Sequence, residues 1–271
     1  MGKFELSAGV DTNKIFLVKR SELIGRLDCA YNSALKRSVL KTYFPTLPIR
    51  SLFRTSSGGT PNKAINSYWN GDIPWASPKD FRTFMLEDTE DHITEEAIKN
   101  SAATIAPNNA LLMVVRSGVL LHTIPVAITQ RPMAFNQDVK SFIAQGEVST
   151  KFLAVYFQVY NESILPLIVK HSTTVQSVNT SELGALRIPT PPIQIQEKIV
   201  GRHSDAIFSA QQKTLQAQVL LDGIDTYLLT ELGIERSGSE KSGIRISDIS
   251  ASMCDGSRRP TGAESNEKTS P

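Results

Sequence analysis

The sequence predicts an α+β protein with one mixed α/β domain at residues 46–190, a long coiled-coil helix at residues 191–233 and a disordered C-terminal tail. Between residues 46 and 190, short apolar runs alternate with turn signals such as Pro107-Asn108-Asn109, which is typical of strands joined by short connections. After Pro191-Pro192, apolar residues instead recur every three or four positions over four heptads. That 3.5-residue period is characteristic of a coiled coil.

The N-terminal segment, residues 1–45, is basic and contains one predicted helix. Eight Lys and Arg stand there against four Asp and Glu. Ser21 is a suitable N-cap for a helix at about residues 22–40, in which apolar residues follow the helical period until Pro45 and Pro48 end the run.

Residues 46–190 mix strand and helix signals and are predicted to fold as one domain. The runs "ALLMVVRSGVLL", "IPVAIT" and "VKSFIA" predict strands. Thr94, followed by two acidic residues, predicts the start of a short helix. Residues 151–169 are apolar almost all round, as expected of a helix packed into a core.

One stretch of this domain combines loop-forming residues with both tryptophans of the chain. It runs over residues 57–80 and reads "SGGTPNKAINSYWNGDIPWASPKD". A surface loop usually avoids large aromatic side chains, and a core strand usually avoids Gly-Gly and Asn-Gly-Asp. We therefore predict a long, ordered and functional loop.

Residues 191–233 predict a helix that needs a partner helix. At about 1.5 Å per residue it would be about 60 Å long, which is longer than a compact domain is wide. Its small central residues favour antiparallel pairing with a second copy, and the alternative is packing against the predicted helix at residues 22–40. The predicted seam consists of Val200, His203, Ile207, Ala210, Thr214, Ala217, Leu221, Ile224 and Leu228.

The remaining composition is that of an ordinary cytoplasmic protein. The chain is 40% hydrophobic and 21% charged, with a net charge of +2. It shows no secretory leader and no apolar run long enough to cross a membrane. Its two cysteines and four scattered histidines have no metal-ligand spacing, so no metal site is predicted. Residues 234–271 have few apolar side chains and are predicted to be disordered.

The sequence contains no recognisable catalytic motif. It lacks the nucleophile elbow, the phosphate-binding loop and the dinucleotide-binding glycine pattern. A hydrolase that uses His171 with Ser172 or Thr173 is an alternative, but no acidic residue is placed to orient that histidine. We therefore predict a binding protein with no catalytic residues.

Several stretches together resemble the specificity subunit of type I restriction-modification systems. They are residues 57–80, "HITEEAIKNSAATIAPNNALLMVVRSG", "PVAITQRPMAFNQDVKSFIA" and "HSTTVQSVNTSELGALRIPTPPIQIQEKIV". The resemblance covers about two-thirds of the chain, over residues 55–232. It departs from the family pattern at Ile195, where the family commonly has an acidic residue at the start of its spacer helix.

The resemblance implies a DNA sequence-specificity subunit that is not itself an enzyme. Residues 46–190 would be a target recognition domain, and residues 191–233 would be the spacer helix used for dimerisation and subunit docking. The family generally carries two copies of each in one chain, whereas this sequence has one, which implies either a half-length subunit that reads half of a split site or a fragment of a longer subunit. Implied partners are double-stranded DNA, a second copy, DNA methyltransferase subunits and a restriction subunit. S-adenosylmethionine, ATP and Mg are expected on those partner subunits.

The resemblance also directs attention to polar side chains able to contact DNA. In the loop at residues 57–80, the Gly58-Gly59-Thr60-Pro61 turn would let the backbone approach a phosphate. Tyr68, Trp69 and Trp75 would clamp that loop onto the domain, with direct stacking on DNA as the alternative. The predicted DNA-binding residues are Thr60, Lys63, Lys79, Arg82, Arg116, Gln130, Arg131, Asn136, Gln137, Lys170, Thr173, Thr174 and Gln176.

Two other functions remain open besides the hydrolase. The first is a stand-alone sequence-specific DNA-binding protein without enzyme partners, which co-purification with a methyltransferase would exclude. The second is a coiled-coil scaffold, which salt-sensitive binding to a defined duplex would exclude.

Overall fold

The structure is a computed structural model that describes residues 6–11, 15, 17, 31–32, 42–170 and 175–233. The chain divides into two compact units, Met1–Ser204 and Asp205–Pro271. Most of the predicted helix at residues 22–40 and the whole predicted tail at residues 234–271 lie outside the described residues.

The first unit is built around a five-stranded sheet in the order β2-β10-β7-β8-β4. A four-stranded sheet has the order β5-β3-β9-β6, and two pairs, β1-β13 and β11-β12, complete the described strands. Their bounds are β1 (Thr46–Pro48), β2 (Phe53–Ser57), β3 (Trp69–Ala76), β4 (Met85–Leu86), β5 (His92–Ile93), β6 (Thr104–Ala106), β7 (Leu111–Val114), β8 (Val126–Thr129), β9 (Met133–Phe135), β10 (Val139–Ala144), β11 (Val169–Lys170), β12 (Ser177–Val178) and β13 (Arg187–Pro189).

Six α-helices lie within the described residues. They are α1 (Ile49–Leu52), α2 (Glu95–Asn100), α3 (Thr150–Val159), α4 (Asn161–Ile168), α5 (Thr180–Ala185) and α6 (Ile193–Glu231). As predicted, α2 begins after Thr94, whose hydroxyl accepts a hydrogen bond from the backbone N–H of Ala97.

The five-stranded sheet separates two hydrophobic cores, which explains why its strands are continuous apolar runs. In β7, Leu111 and Met113 belong to the core that contains α3 and α4. Leu112 and Val114 face the other core, which includes residues of β3, β6 and β9. A strand that is buried on both faces has no polar alternation. The three runs predicted as strands are confirmed in part: "IPVAIT" and "VKSFIA" contain β8 and β10, whereas β7 ends at Val114.

The apolar segment at residues 151–169 is helical and buried, but it forms two helices where we predicted one. The break is at Tyr160, which ends α3 and precedes α4. The next residue, Asn161, accepts a hydrogen bond from the backbone N–H of Ile124 at 2.7 Å. This contact fixes the break to the connection between β7 and β8, which periodicity along the helix could not reveal.

The predicted irregular loop at residues 57–80 is wrong for its second half, because Trp69–Ala76 forms β3. The loop-forming residues Asn70 and Gly71 lie within this strand, at a register shift between Trp69 and Ile73. Asn70 has a φ of 60°, which is the backbone conformation that a bulge or turn uses. A Cβ on Gly71 would lie 2.5 Å from the carbonyl oxygen of Ile93. The turn signals therefore mark a bulge inside a strand.

Helix α6 confirms the predicted long helix and has 39 residues. Its first residues, up to Ser204, belong to the first compact unit. Gln196 is fully buried, and Val200 packs against the hydrophobic core. Within the described residues, no helix combines the length and apolarity needed to cross a membrane.

Candidate nucleic-acid interface

Both tryptophans hold the loop that follows β2. The indole N–H of Trp75 donates to the carbonyl oxygen of Gly59 at 3.0 Å, and that of Trp69 donates to the carbonyl oxygen of Asn62 at 3.3 Å. The two rings meet edge to face, with their centroids 5.3 Å apart. Tyr68 is buried in the same cluster. The predicted clamp is therefore confirmed, with the rings on β3 and next to it.

Two glycines bring this loop into close contact with its neighbours. A Cβ on Gly58 would lie 2.0 Å from the carbonyl oxygen of Phe135, and one on Gly59 would lie 2.4 Å from that of Ala102. We predicted that the glycines let the backbone approach a phosphate. The structure shows a packing role for them, since the space that a side chain would need is filled by the protein's own backbone, and the approach to a phosphate stays a prediction.

The ends of three neighbouring strands bring several predicted DNA-binding residues together. Because β10 is antiparallel to both β2 and β7, the ends of β2 and β7 meet the start of β10 at one edge. The backbone N–H groups of Val115 and Arg116 both donate to the carbonyl oxygen of Asp138, at 2.8 and 3.2 Å. We call residues 58–61, 115–117, 136–138, 170 and 175–177 the loop edge.

A short hairpin adds two further predicted residues to the loop edge. Lys170 of β11 pairs with Ser177 of β12, and Ser177 also forms a bridge with Arg116. The basic residues Arg116 and Lys170 therefore flank Ser177. The carbonyl oxygen of Gln176 accepts from the backbone N–H of Ser117 at 3.1 Å. Thr173 and Thr174, also predicted to bind DNA, lie outside the described residues, as do His171 and Ser172.

The side chains of Asn136 and Gln137 have different environments although they are neighbours in sequence. Asn136 is buried, and its Oδ1 accepts from the backbone N–H of Asp138 at 3.0 Å. Gln137 is exposed, and its Oε1 accepts a hydrogen bond from the hydroxyl of Thr60. Asn136 thus shapes the turn, whereas Gln137 is available at its surface.

Lys79 and Arg82 lie in a segment that contains many acidic residues. The ammonium of Lys79 is 2.9 Å from Asp91 and 3.1 Å from Glu90. The hydrogen bond to Asp91 is the largest cause that raises the pKa of Lys79. Arg82 donates from Nε to the carbonyl oxygen of Lys79 at 3.2 Å. The charge of Lys79 is therefore already balanced within the protein.

Three other predicted DNA-binding residues lie away from the loop edge. Gln130 and Arg131 precede β9, whereas Gln137 follows it. Arg131 donates to the carbonyl oxygen of Asp72 at 3.2 Å. Lys63 lies in a cleft of about 350 Å³ that is also lined by Trp69 and Asp91.

Sequence reasoning missed Lys140, which lies on β10 beside the loop edge. Its ammonium donates to the hydroxyl of Ser57 at 3.1 Å, and burial lowers its pKa. Lys140 stands in the run "VKSFIA", which we interpreted only as a core strand. Its register opposite Ser57, at the end of β2, would have been the useful signal.

The structure gives the predicted helix seam two different environments. Val200 packs on the domain core, and the ring of His203 lies 5.1 Å from that of Phe84. The remaining seam residues, from Ile207 to Leu228, are exposed. Ile207 is 44% exposed and Leu221 is 41% exposed.

The described part of the chain contains no group of three His, Cys, Asp or Glu side chains that could hold a metal ion.

Comparison with known proteins gives a consistent family match. The family model for the type I restriction modification DNA specificity domain matches residues 45–217. The specificity subunit of the Escherichia coli type I restriction enzyme EcoR124I/EcoR124II is 36% identical over 144 residues, which are 53% of this chain and 36% of that protein. The MjaIX specificity subunit of Methanocaldococcus jannaschii is 29% identical over 154 residues, which are 56% of this chain and 35% of that protein.

A solved structure shares the fold. One chain from a structure that describes complex assembly and conformational transition of the type I R-M system has a TM-score of 0.53, with 14% sequence identity. The superposition covers 74% of this chain and 52% of that chain. The aligned region is about a third of the length of each curated relative, 36% and 35%.

Proposed function

The chain belongs to the type I restriction modification DNA specificity family, and on that premise we propose that it selects the DNA sequence for a type I modification complex. In this proposal its globular domain, residues 46–190, binds one half of a split target. The observation that carries the proposal is the loop edge, where Thr60, Arg116 and Gln137 come together from three separate segments.

The chemistry of the loop edge supports binding to double-stranded DNA. Arg116 and Lys170 supply positive charge on either side of Ser177, and each cation that meets a phosphate releases counterions. Gln137, which is exposed, and Thr60, which is partly exposed, add neutral hydrogen-bonding groups. The tryptophan clamp and the close contacts of Gly58 and Gly59 hold the loop in one conformation, which lowers the entropy lost when DNA binds.

The exposed seam of α6 supports pairing with a second copy. An antiparallel pair in register would place Ile207 against Ile224, Ala210 against Leu221 and Thr214 against Ala217. This arrangement packs each a-type position against a d-type position, as antiparallel coiled coils do. A pair of this kind would present two globular domains, and therefore two half-site readers related by two-fold symmetry.

Crosslinking tests the direction of pairing. With Cys29 and Cys254 replaced by Ser, a chain carrying Ile207→Cys alone would not crosslink in the antiparallel pair, because the two cysteines would be about 25 Å apart along the helix. A chain carrying both Ile207→Cys and Ile224→Cys would crosslink between copies. Efficient crosslinking by Ile207→Cys alone would instead indicate a parallel pair.

In the proposed complex, catalysis belongs to other subunits. Methyltransferase subunits that use S-adenosylmethionine would dock on α6, and a restriction subunit that uses ATP and Mg would join the assembly. A stand-alone DNA-binding protein is the second candidate. Isolation of the tagged chain with a methyltransferase subunit would favour the proposal, and its repeated isolation alone would favour the second candidate.

The decisive experiment maps methylated adenines in the host DNA with and without this chain. The expected result is a set of methylated sites that share one split sequence and disappear when the chain is removed. An unchanged methylation pattern would refute the proposed function. If two half-sites are found, two-fold symmetry between them would support pairing of identical copies.

A further inference from the structure

Thr60 and Gln137 meet at the loop edge although they are 77 positions apart in sequence. The hydroxyl of Thr60 donates to Oε1 of Gln137, so the carbonyl end of the glutamine amide is engaged. Among the described residues, the amide N–H₂ of Gln137 has no acceptor, and neither do the backbone N–H groups of Thr60 and Gln137. This pair therefore presents hydrogen-bond donors without partners.

The backbone on both sides of this contact is fixed by hydrogen bonds. On one side, Gly59 donates to the carbonyl oxygen of Phe135 at 3.0 Å and accepts from Trp75 at 3.0 Å. On the other side, Asn136 donates its backbone N–H to the carbonyl oxygen of Ala76 at 2.9 Å. The pair is therefore held in place before any ligand binds.

A pair in which free hydrogen-bond donors predominate suits a phosphate better than a base. A glutamine that reads adenine must accept from N6 through its carbonyl while its amide donates to N7. Here Thr60 takes one of the two acceptor positions of that carbonyl, whereas neither amide hydrogen of Gln137 has an acceptor among the described residues. Phosphate oxygens only accept hydrogen bonds, and Thr, Gln and backbone N–H groups are common partners for them.

We propose that Thr60 and Gln137 form a phosphate anchor that binds the DNA backbone irrespective of sequence. The anchor sets the position of the domain on the duplex and does not read a base. The inference rests on the proposed function, since it requires that the loop edge faces DNA. It assigns base reading to other residues.

Binding measurements test the anchor. The full chain, assembled with its methyltransferase subunit, is titrated by fluorescence anisotropy with two duplexes over a series of salt concentrations. One duplex contains a sequence methylated in the host, and the other has the same length and composition without that sequence. Gln137→Ala is expected to weaken binding to both duplexes by the same factor, about tenfold for a hydrogen bond to a charged acceptor. The salt slope should not change, because no cation is lost.

Further variants keep the test independent of folding. Thr60→Val removes the hydroxyl at nearly constant volume and should weaken binding to both duplexes, whereas Thr60→Ser should retain it. Gln145→Ala is the matched control, since Gln145 is an exposed glutamine that follows the end of β10 opposite to the loop edge. Each variant should keep a melting temperature close to that of the wild type, because Gln137 is exposed and Thr60 is only partly buried.

The possible results separate the anchor from the proposed function. Weaker binding of Gln137→Ala to the methylated sequence alone would identify a base reader and overturn the anchor. Unchanged binding to both duplexes, with a wild type that binds, would also overturn it and leave the proposed function intact. A wild-type complex that binds neither duplex would overturn the proposed function and the anchor with it.

Discussion

Replacing Gln196 should destabilise the globular unit more than any exposed substitution in α6. The side chain is fully buried and makes three hydrogen bonds to the backbone. Its Oε1 accepts from the N–H of Ser149 at 2.9 Å. Its Nε2 donates to the carbonyl oxygens of Glu147 at 2.9 Å and Pro191 at 2.8 Å.

The size of the effect follows from these three bonds. Gln196→Leu keeps a similar volume but leaves one buried N–H and two carbonyl oxygens without this partner. At about 1 kcal/mol for each hydrogen bond, the free energy of unfolding should fall by about 3 kcal/mol. Gln196→Glu should also destabilise, because a carboxylate accepts from Ser149 but opposes the two carbonyl oxygens.

Urea unfolding of the full chain measures this difference. Gln194→Leu is the matched control, since Gln194 is exposed two positions earlier in the same helix. The control should change the free energy of unfolding by less than about 0.5 kcal/mol. If Gln196→Leu unfolds at the same urea concentration as the control, the three hydrogen bonds do not hold the helix to the domain and the reasoning is wrong.

Three further predictions concern packing, charge and pH. Gly58→Ala should cost at least about 2 kcal/mol of stability, because its Cβ would overlap the carbonyl oxygen of Phe135, whereas Gly146→Ala meets nothing within 4 Å and should cost little in the same urea assay. Arg116→Ala should lower the salt slope of DNA binding by about one unit. Lys79→Ala should lower the slope less, since Lys79 is paired with Asp91 and Glu90. Equal salt slopes for the two variants would contradict this prediction. Burial lowers the pKa of His203 below 6.5. As the pH falls, the imidazole is therefore protonated in the unfolded chain before it is protonated in the folded chain. The free energy of unfolding should decrease below about pH 6.5, until the pH passes the folded-state pKa. Urea midpoints at about pH 5 and pH 7.5 should differ less in His203→Leu than in the wild type; an identical difference would exclude His203 as a source of the pH dependence.

Much of the architecture could be predicted from local patterns. The long helix follows from its 3.5-residue period. The start of α2 follows from Thr94 and the two acids after it. Strands β8 and β10 follow from apolar runs, because burial on both faces of the sheet leaves its own signature in the sequence.

The errors arose where distant segments meet. Asn70 and Gly71 look like a loop along the chain, and only pairing with β5 makes them a bulge. The close packing of Gly58 could not be predicted either, because only the position of Phe135 shows what fills the space beside it. Periodicity carries no information on such contacts, since it describes one segment at a time.

The sequence predicted which residue types would form the candidate interface, but only partly where their side chains lie in the fold. Polar side chains in loops are good candidates for DNA contact. Their selection could not reveal that Asn136 is buried or that acidic neighbours neutralise Lys79. It also missed Lys140, because an apolar run was interpreted only as core. Register between β2, β10 and β7 decides which candidates share an edge.

The anchoring of the first turns of α6 has a consequence for anyone who wishes to transplant this domain. Pro191-Pro192 looks like a suitable domain boundary. However, Gln196, Val200 and His203, which follow it, still pack against the globular unit. A chimera joined at the prolines would expose the surfaces that those side chains cover. The first compact unit ends inside the helix, at Ser204. A transferred domain should therefore include the first three turns of α6.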